Sequence, residues 1–548
     1  MTLRLHVVGG LGAFGQNCLL VEEMETGDAV CIDAGAGFPR EGPAQELMVA
    51  DPNFLKPFVG RLRAYVCTHG HEDHIGALGY FHKVCPAPVY GAPTTLALIR
   101  HRCQDKGMPT PELEVLLPGQ DIQLGAFHLG AMAVSHSIPD TLCLVVEGGG
   151  VTLVHSGDFR VDLDPVDGPP TDMSGLSSLA NKNVDLLLAD STGAVTHGHN
   201  PGERSVVPHL TAALESSPRR VFVATFASHI QRLGMLGTLA HRFGRKVMIA
   251  GRGAINHSRI AVGLGRLPFL DGISVHASEA PHLPPEKLLV VMSGCQGEDY
   301  SAFWRLAHGD GRLPPVEAHD TVIHSARAVP GNEGKVAALL DACARKGARI
   351  LEGRDGVHVS GHGYQEDMRA LIQAVKPRAV MAIHGGFRHL HALSDLAQEE
   401  GLDPDMAPVF QSGDVVEVAP HAPPRVVDHA PVENMLVDDD GNLFPATRVL
   451  LQRKDLCGGV VLVSALVDRQ TGELLGNPSL SLRGIGGALE ELLRLEGAHE
   501  AAVSLNALPL EERLDPETAQ QAMMRGVRRV LRRADHGVPV VVAHAHVV

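Results

Sequence analysis

Residues 68–74 read Thr-His-Gly-His-Glu-Asp-His, so His69, His71, Asp73 and His74 fall within six positions. Imidazole and carboxylate are ligands for a borderline divalent ion, with zinc the default. His69 and His71 stand at i and i+2, so both point one way if the backbone stays extended. Asp73 and His74 are adjacent, point differently, and reach a second ion beside the first. The bland alternative is a histidine-rich surface loop, but the four-ligand pattern HxHxDH is a narrow one. The preceding run Ala64, Tyr65, Val66, Cys67 predicts a strand running into that loop.

Further strands must carry the partners. The apolar runs at 30–32, 153–155, 185–190 and 380–383 each end in a carboxylate or a histidine: Asp33, Asp158, Asp190 and His384. His136 stands between such a run and Pro139. A carboxylate at a strand end can bridge two cations about 3.5–4 Å apart, and Asp158 is taken as that bridge. His155 is then a supporting or core residue. The glycine-rich stretch 9–17 is no phosphate loop, because it lacks Lys-Ser/Thr and does not fit GxGxxG. Residues 93–107 carry a helical pattern closed by a glycine.

Bulk properties bound the answer. With 548 residues the chain has room for two to four domains, and 44% hydrophobic with 20% charged residues describes an ordinary soluble globular protein. No apolar run is long enough to span a bilayer, and the N-terminal stretch reads as strand and glycine turn, without a signal-peptide pattern. The nine cysteines are scattered and form no CxxC. A reduced, cytoplasmic setting follows. A net charge of −16 argues mildly against nucleic acid, yet residues 219–270 hold nine Lys/Arg and no Asp or Glu. That block is a candidate polyanion surface or a set of solvated helix faces.

HxHxDH resembles the metallo-β-lactamase superfamily, in which His69 and His71 would hold one zinc and Asp73 and His74 the second. The resemblance makes His136 the third ligand of the first ion and gives Asp33 the task of orienting the metal loop without ligating. Asp190-Ser191-Thr192 resembles the first motif of the β-CASP nucleases, a branch of that superfamily. Residues 200–365 read as an inserted α/β domain with strands alternating with helices. Its segments resemble the ribonuclease J family in order and spacing: ATFAS at 224–228, Gly251-Arg252, SGCQGE at 293–298, DTVIHSA at 320–326, PGNE at 330–333 and HVSGH at 358–362. The match is close over residues 1–420 and loose beyond.

The resemblance implies that His358, Ser360 and His362 bind substrate phosphate, that His362 also positions or protonates the leaving group, and that Asp190 is catalytic. His384 becomes the remaining ligand of the second ion. Gly386 stands where the family usually has Glu, which removes a possible hydrogen-bond acceptor near the site.

The expected fold is α/β: a metallo-β-lactamase αββα sandwich over 1–199 and 366–420, a β-CASP insert over 200–365, a linker with a few short strands at 421–446, and a small α/β domain over 447–548. That last domain is read as a hairpin around Thr471-Gly472, a helix capped by Asp515 with arginines at 525, 528, 529, 532 and 533, and a strand over 538–542. The arginines meet RNA, a second subunit or water.

The implied reaction is phosphodiester hydrolysis in which two divalent ions acidify a bridging water and Asp73 aims it in line at phosphorus. The implied activity is a 5′→3′ exoribonuclease preferring 5′-monophosphate RNA, with endonuclease activity, in RNA maturation and decay. Two zinc ions per subunit, or manganese or magnesium, single-stranded RNA, a homodimer and an RNA-degradation complex are the expected cofactors and partners. The competing readings are a small-ester or amide hydrolase and a non-catalytic RNA-binding scaffold.

Overall fold

The computed structural model describes residues 2–39, 47–329, 331–533 and 539–548. The chain divides into two compact units, 1–443 and 444–548.

In the first unit, two sheets lie face to face. One has eight strands, in the order Arg425–His429, Asp414–Val418, Leu3–Gly9, Cys18–Glu23, Ala29–Ile32, Leu62–Cys67, Val89–Gly91 and Leu113–Val115. The other has six, in the order Ala379–Ile383, Leu186–Asp190, Val151–His155, Leu142–Gly148, Phe127–Ala133 and Asp121–Leu124. Strand side chains alternate faces, so Leu5, Val7, Val30 and Val66 from one sheet share a core with Leu144, Val146, Leu153 and Leu187 from the other. The outer face of the first sheet is covered by the helices Leu78–Val84 and Pro93–Asp105. The outer face of the second is covered by Gln365–Val375 and Phe387–Glu399. This is the expected αββα sandwich.

Between the two parts of the sandwich lies a parallel sheet in the order Lys246–Ala250, Leu288–Met292, Val221–Ala224, Thr321–His324, Arg349–Leu351. Val221, Val223, Val247 and Leu289 pack on one side, Phe222, Met248, Val290 and Val322 on the other. Both faces are buried, which is why these strands read as continuous apolar runs. Pro330 of the PGNE segment lies outside the described residues, and Glu333 opens the helix Glu333–Ala344.

Two regions gain detail. The region expected as a linker is built into the first unit as far as residue 443. Arg425–His429 extends the eight-stranded sheet beside Asp414–Val418, and Asn434–Val437 pairs with Leu47–Ala50. Edge pairing overrides the proline- and aspartate-rich composition there.

Five of the nine residues of the basic block are paired or buried. Arg219 and Arg220 pair with Glu317 and Asp320, Arg232 with Glu203, and Arg266 with Asp140 and Asp167. Arg245 is buried and donates to the carbonyls of Arg219 and Ser217.

In the second unit, Val460–Val467 pairs antiparallel with Ser479–Arg483 and parallel with Val540–Val547. Asp515 accepts from the Thr518 N–H and caps the helix Pro516–Arg533, which buries Ala519, Met523, Val527 and Val530. Of its arginines, Arg529 and Arg533 pair with Glu500 and Glu496. Val538, expected to open the last strand, lies outside the described residues. Among the described residues no helix is long and apolar enough to cross a membrane.

Candidate metal centre

Loops at the carboxyl ends of parallel strands converge on one place. Asp33 follows Ala29–Ile32, His69 and His71 follow Leu62–Cys67, Asp158 follows Val151–His155, Asp190 closes Leu186–Asp190, and His384 follows Ala379–Ile383. The His71 carbonyl accepts from the His74 and Ile75 N–H groups at 3.0 Å each, and this turn swings Asp73 and His74 towards the cluster. Gly35 is required there, because a Cβ would stand 1.7 Å from the Asp73 carbonyl oxygen. Asp33 and His384 have positive φ, 59° and 55°, in the left-handed region that Asp and His enter more readily than most residues.

The ligand-type atoms fall into groups that share Asp158. On one side, His71 Nδ1 lies 3.0 Å from His69 Nε2 and 3.2 Å from His136 Nε2. Asp158 Oδ2 is 3.6 Å from each of those two Nε2 atoms. On the other side, the same oxygen is 3.4 Å from His74 Nε2 and 3.6 Å from His384 Nε2. Asp73 Oδ2 is 3.1 Å from His384 Nε2 and 3.8 Å from His74 Nε2. Asp190 and His362 form a further group with Asp158 and His384. All seven residues expected as ligands are therefore together.

The outward-facing ring nitrogens are also engaged. Asp33 accepts from the Thr68 N–H and hydroxyl at 2.7 and 2.8 Å and stands 2.7 Å from His74 Nδ1. Thr68 Oγ1 is 3.0 Å from His69 Nδ1, the Gly361 carbonyl 2.9 Å from His136 Nδ1, and Thr192 Oγ1 2.6 Å from His384 Nδ1. Such contacts fix ring orientation and leave the other nitrogen for a metal. Gly361 itself admits no side chain, since a Cβ would meet the His136 ring at 2.7 Å.

The electrostatics fit a cation. Burial pushes His69 and His136 well below the ordinary imidazole range and His71 down to about 4, leaving neutral lone-pair donors. Burial opposes charge on His74 and His384 too, but Asp158 and the neighbouring carboxylates outweigh it, raising His74 and holding His384 at about 9. Those protons balance buried carboxylates. Divalent cations would balance them equally well, and imidazoles with a shared carboxylate are an apt donor set.

His155 is buried and accepts from the Gly157 N–H, apart from the cluster. Residues 358–362 join the cluster to the insert. His362 Nδ1 is 2.7 Å from Asp190 Oδ2, and the His362 ring sits 4.9 Å from that of His136. Ser360 Oγ accepts from the His362 N–H at 3.1 Å, so its hydroxyl oxygen is engaged within the loop. Arg160 donates to the Ser360 carbonyl and Arg232 to the Val357 carbonyl, each at 3.0 Å, on either side of His358. Buried Glu203 holds both guanidinium groups, at 2.7 Å from Arg232 Nε and 3.8 Å from Arg160 Nη1. Burial and the adjacent Arg232 push His358 down to about 3.

Sequence reasoning passed over Thr68, Thr192, Arg160, Glu203 and Arg232. It also passed over Asn17, whose amide lies 3.0 Å from His74 Nε2 and 3.3 Å from Asp73 Oδ2. The only signal for Asn17 was its position closing the glycine-rich stretch.

Three family models match the chain: the metallo-beta-lactamase superfamily over residues 11–207, the ribonuclease J beta-CASP domain over 218–343, and the Zn-dependent metallo-hydrolase RNA specificity domain over 351–408. A ribonuclease J of Mycobacterium tuberculosis is 34% identical over 98% of this chain and 96% of its own length. One of Helicobacter pylori is 30% identical over 100% of this chain and 80% of its own. A crystal structure of a protein of unknown function from Enterococcus faecalis shares the fold, with a TM-score of 0.53 and 14% identity over 76% of this chain and all of that one.

Proposed function

The chain belongs to the ribonuclease J family and is a metal-dependent ribonuclease, and from that premise we propose that it removes nucleotides 5′→3′ from RNA bearing a 5′-monophosphate and also cuts internally. The observation carrying this reading is the loop 358–362. Its Gly361 and His362 touch the metal centre, while His358 lies among buried polar groups. His358 Nδ1 and Arg232 Nη2 are buried and lack a hydrogen-bond partner. A terminal phosphate beside them would supply the missing acceptors, and the positive charge there comes from the arginines, since His358 is neutral.

In this reading His69, His71 and His136 would hold one ion, Asp73, His74 and His384 the other, with Asp158 available to both. Zinc suits these imidazole-containing groups, and manganese or magnesium could substitute for or supplement it, since carboxylate oxygens suit them. When bound, the pair supplies Lewis acidity to a water and to the phosphoryl oxygens. Asp73 accepts a hydrogen bond that aims the attacking oxygen. His362, fixed by Asp190, faces the leaving 3′-oxygen and protonates it. His358 and Ser360 position the phosphate at the strand's end. Asp33 keeps His74 in register. RNA maturation and decay in the cytoplasm, as a homodimer and within a degradation complex, complete the proposal.

The test uses 5′-monophosphorylated, 5′-triphosphorylated and circular RNA with wild-type protein and His71→Ala. Mononucleotide release from the monophosphorylated RNA and internal cuts in the circle, both lost in His71→Ala, support it. Equal rates on the two linear RNAs would remove the 5′-end preference.

A further inference from the structure

Aromatic side chains are scarce, with 15 Phe, five Tyr and one Trp in the chain. Among the described residues the strongly exposed phenylalanines are Phe14 at 42%, Phe38 at 53%, Phe387 at 47% and Phe444 at 45%. Phe14 lies beside the metal centre, and Phe387 packs on the same glycine-rich loop. The Phe14 ring is edge-on to His384 at 6.1 Å and to His389 at 5.1 Å. Phe387 opens the helix after His384, and its ring reaches Gly12, where a Cβ would stand 2.9 Å from it. Phe38 follows Gly37, whose Cα would be 3.2 Å from a Cβ on Gly15, the neighbour of Phe14.

Exposed aromatic rings at the mouth of a polar site lack the cover that burial gives elsewhere in this chain. The chain's charge is −16, and four of the nine basic residues at 219–270, Arg219, Arg220, Arg232 and Arg266, are paired with carboxylates, which reduces the cationic surface left for a polyanion. Stacking grips a single strand without charge and without regard to sequence, because every base has a π-face.

From the loop 358–362, His362 lies 5.2 Å from His384, and His384 lies 6.1 Å from Phe14. Phe14 thus adjoins His384 and His389, while the loop 358–362 reaches His384 through His362. We infer that Phe14 is a stacking platform for the nucleobase just 3′ of the cleaved phosphate. That nucleotide keeps the phosphate after cleavage, so the platform holds the strand still to be degraded. The inference rests on the ribonuclease reading above.

The experiment is steady-state cleavage of short single-stranded RNA by the full chain, as wild type, Phe14→Ala and Phe14→Trp. Each enzyme is given intact RNA and RNA with one abasic nucleotide immediately 3′ or 5′ of the cut. Phe14→Ala is expected to raise KM about tenfold, with kcat within about twofold, and Phe14→Trp to restore it. The 3′ abasic site should cost wild type about tenfold and cost Phe14→Ala nothing further. Losses that multiply, an effect confined to the 5′ abasic site, or an unchanged KM in Phe14→Ala would overturn the platform while leaving the ribonuclease reading intact. A wild type that cuts no RNA overturns both.

Discussion

Two buried charged clusters sit a few residues apart and solve opposite problems. Around Asp158, imidazoles and carboxylates converge on one oxygen with only protons between them. Around Glu203, two arginines face two carboxylates, Glu203 and Asp162, so the cluster is balanced within itself. The first is arranged for a cation and does little for the metal-free fold. The second holds backbone carbonyls on both sides of His358, so it shapes the loop proposed for the phosphate and supports the fold without any cation. Burial of charge therefore does not by itself mark a catalytic site. What marks one is a set of ligand atoms pointing at each other.

The widest separation between the clusters comes from removing Asp158. Asp158→Ala should lower RNA cleavage by at least about 10³-fold, of order 4 kcal/mol of transition-state stabilisation. Elemental analysis should show lost metal, while the melting temperature of chelator-treated protein should hardly move. A large drop in that melting temperature would make Asp158 structural and erase the contrast.

Glu203→Ala should do the reverse. It strands Arg232 in the interior, and breaking a buried pair in this way costs about 3–5 kcal/mol, readable by urea denaturation. The acid limb offers a second reading. Burial alone would raise the Glu203 carboxyl, but His229 and Arg232 outweigh it and hold it below the ordinary 4.5. A depressed carboxyl contributes its full stability above that ordinary value and loses it as pH falls. Wild type should lose stability below about pH 4.5 more steeply than Glu203→Gln.

Thr192→Val sits between the two. It removes the contact to His384 Nδ1 and should cost about 10–100-fold in metal affinity or activity, with little loss of stability. The smallest effect belongs to the surface: Arg204→Ala should change stability by less than about 1 kcal/mol, because both it and its partner Asp164 are solvent-exposed.

The ligand residues were legible because each is an unusual residue at the end of an apolar strand, in an order that a known fold shares. The residues that orient them were not. Thr68, Thr192 and Asn17 are ordinary types whose roles depend on neighbours brought up by folding. The basic block left two readings open because sequence counts charges and not partners. Arg266 reaches Asp140 across 126 positions, and Arg219 reaches Glu317 across 98. The short strands of the linker were legible, but composition says nothing of the free sheet edges that take them.

The bond from His136 Nδ1 to the Gly361 carbonyl spans 225 positions and crosses from the sandwich to the far end of the insert. An enzyme trimmed to its sandwich alone would keep every metal ligand and still lose the group that sets the tautomer of one of them. The insert is therefore no interchangeable attachment: grafting a foreign substrate-binding module in its place would require a replacement carbonyl at that single point before any new specificity could be read out.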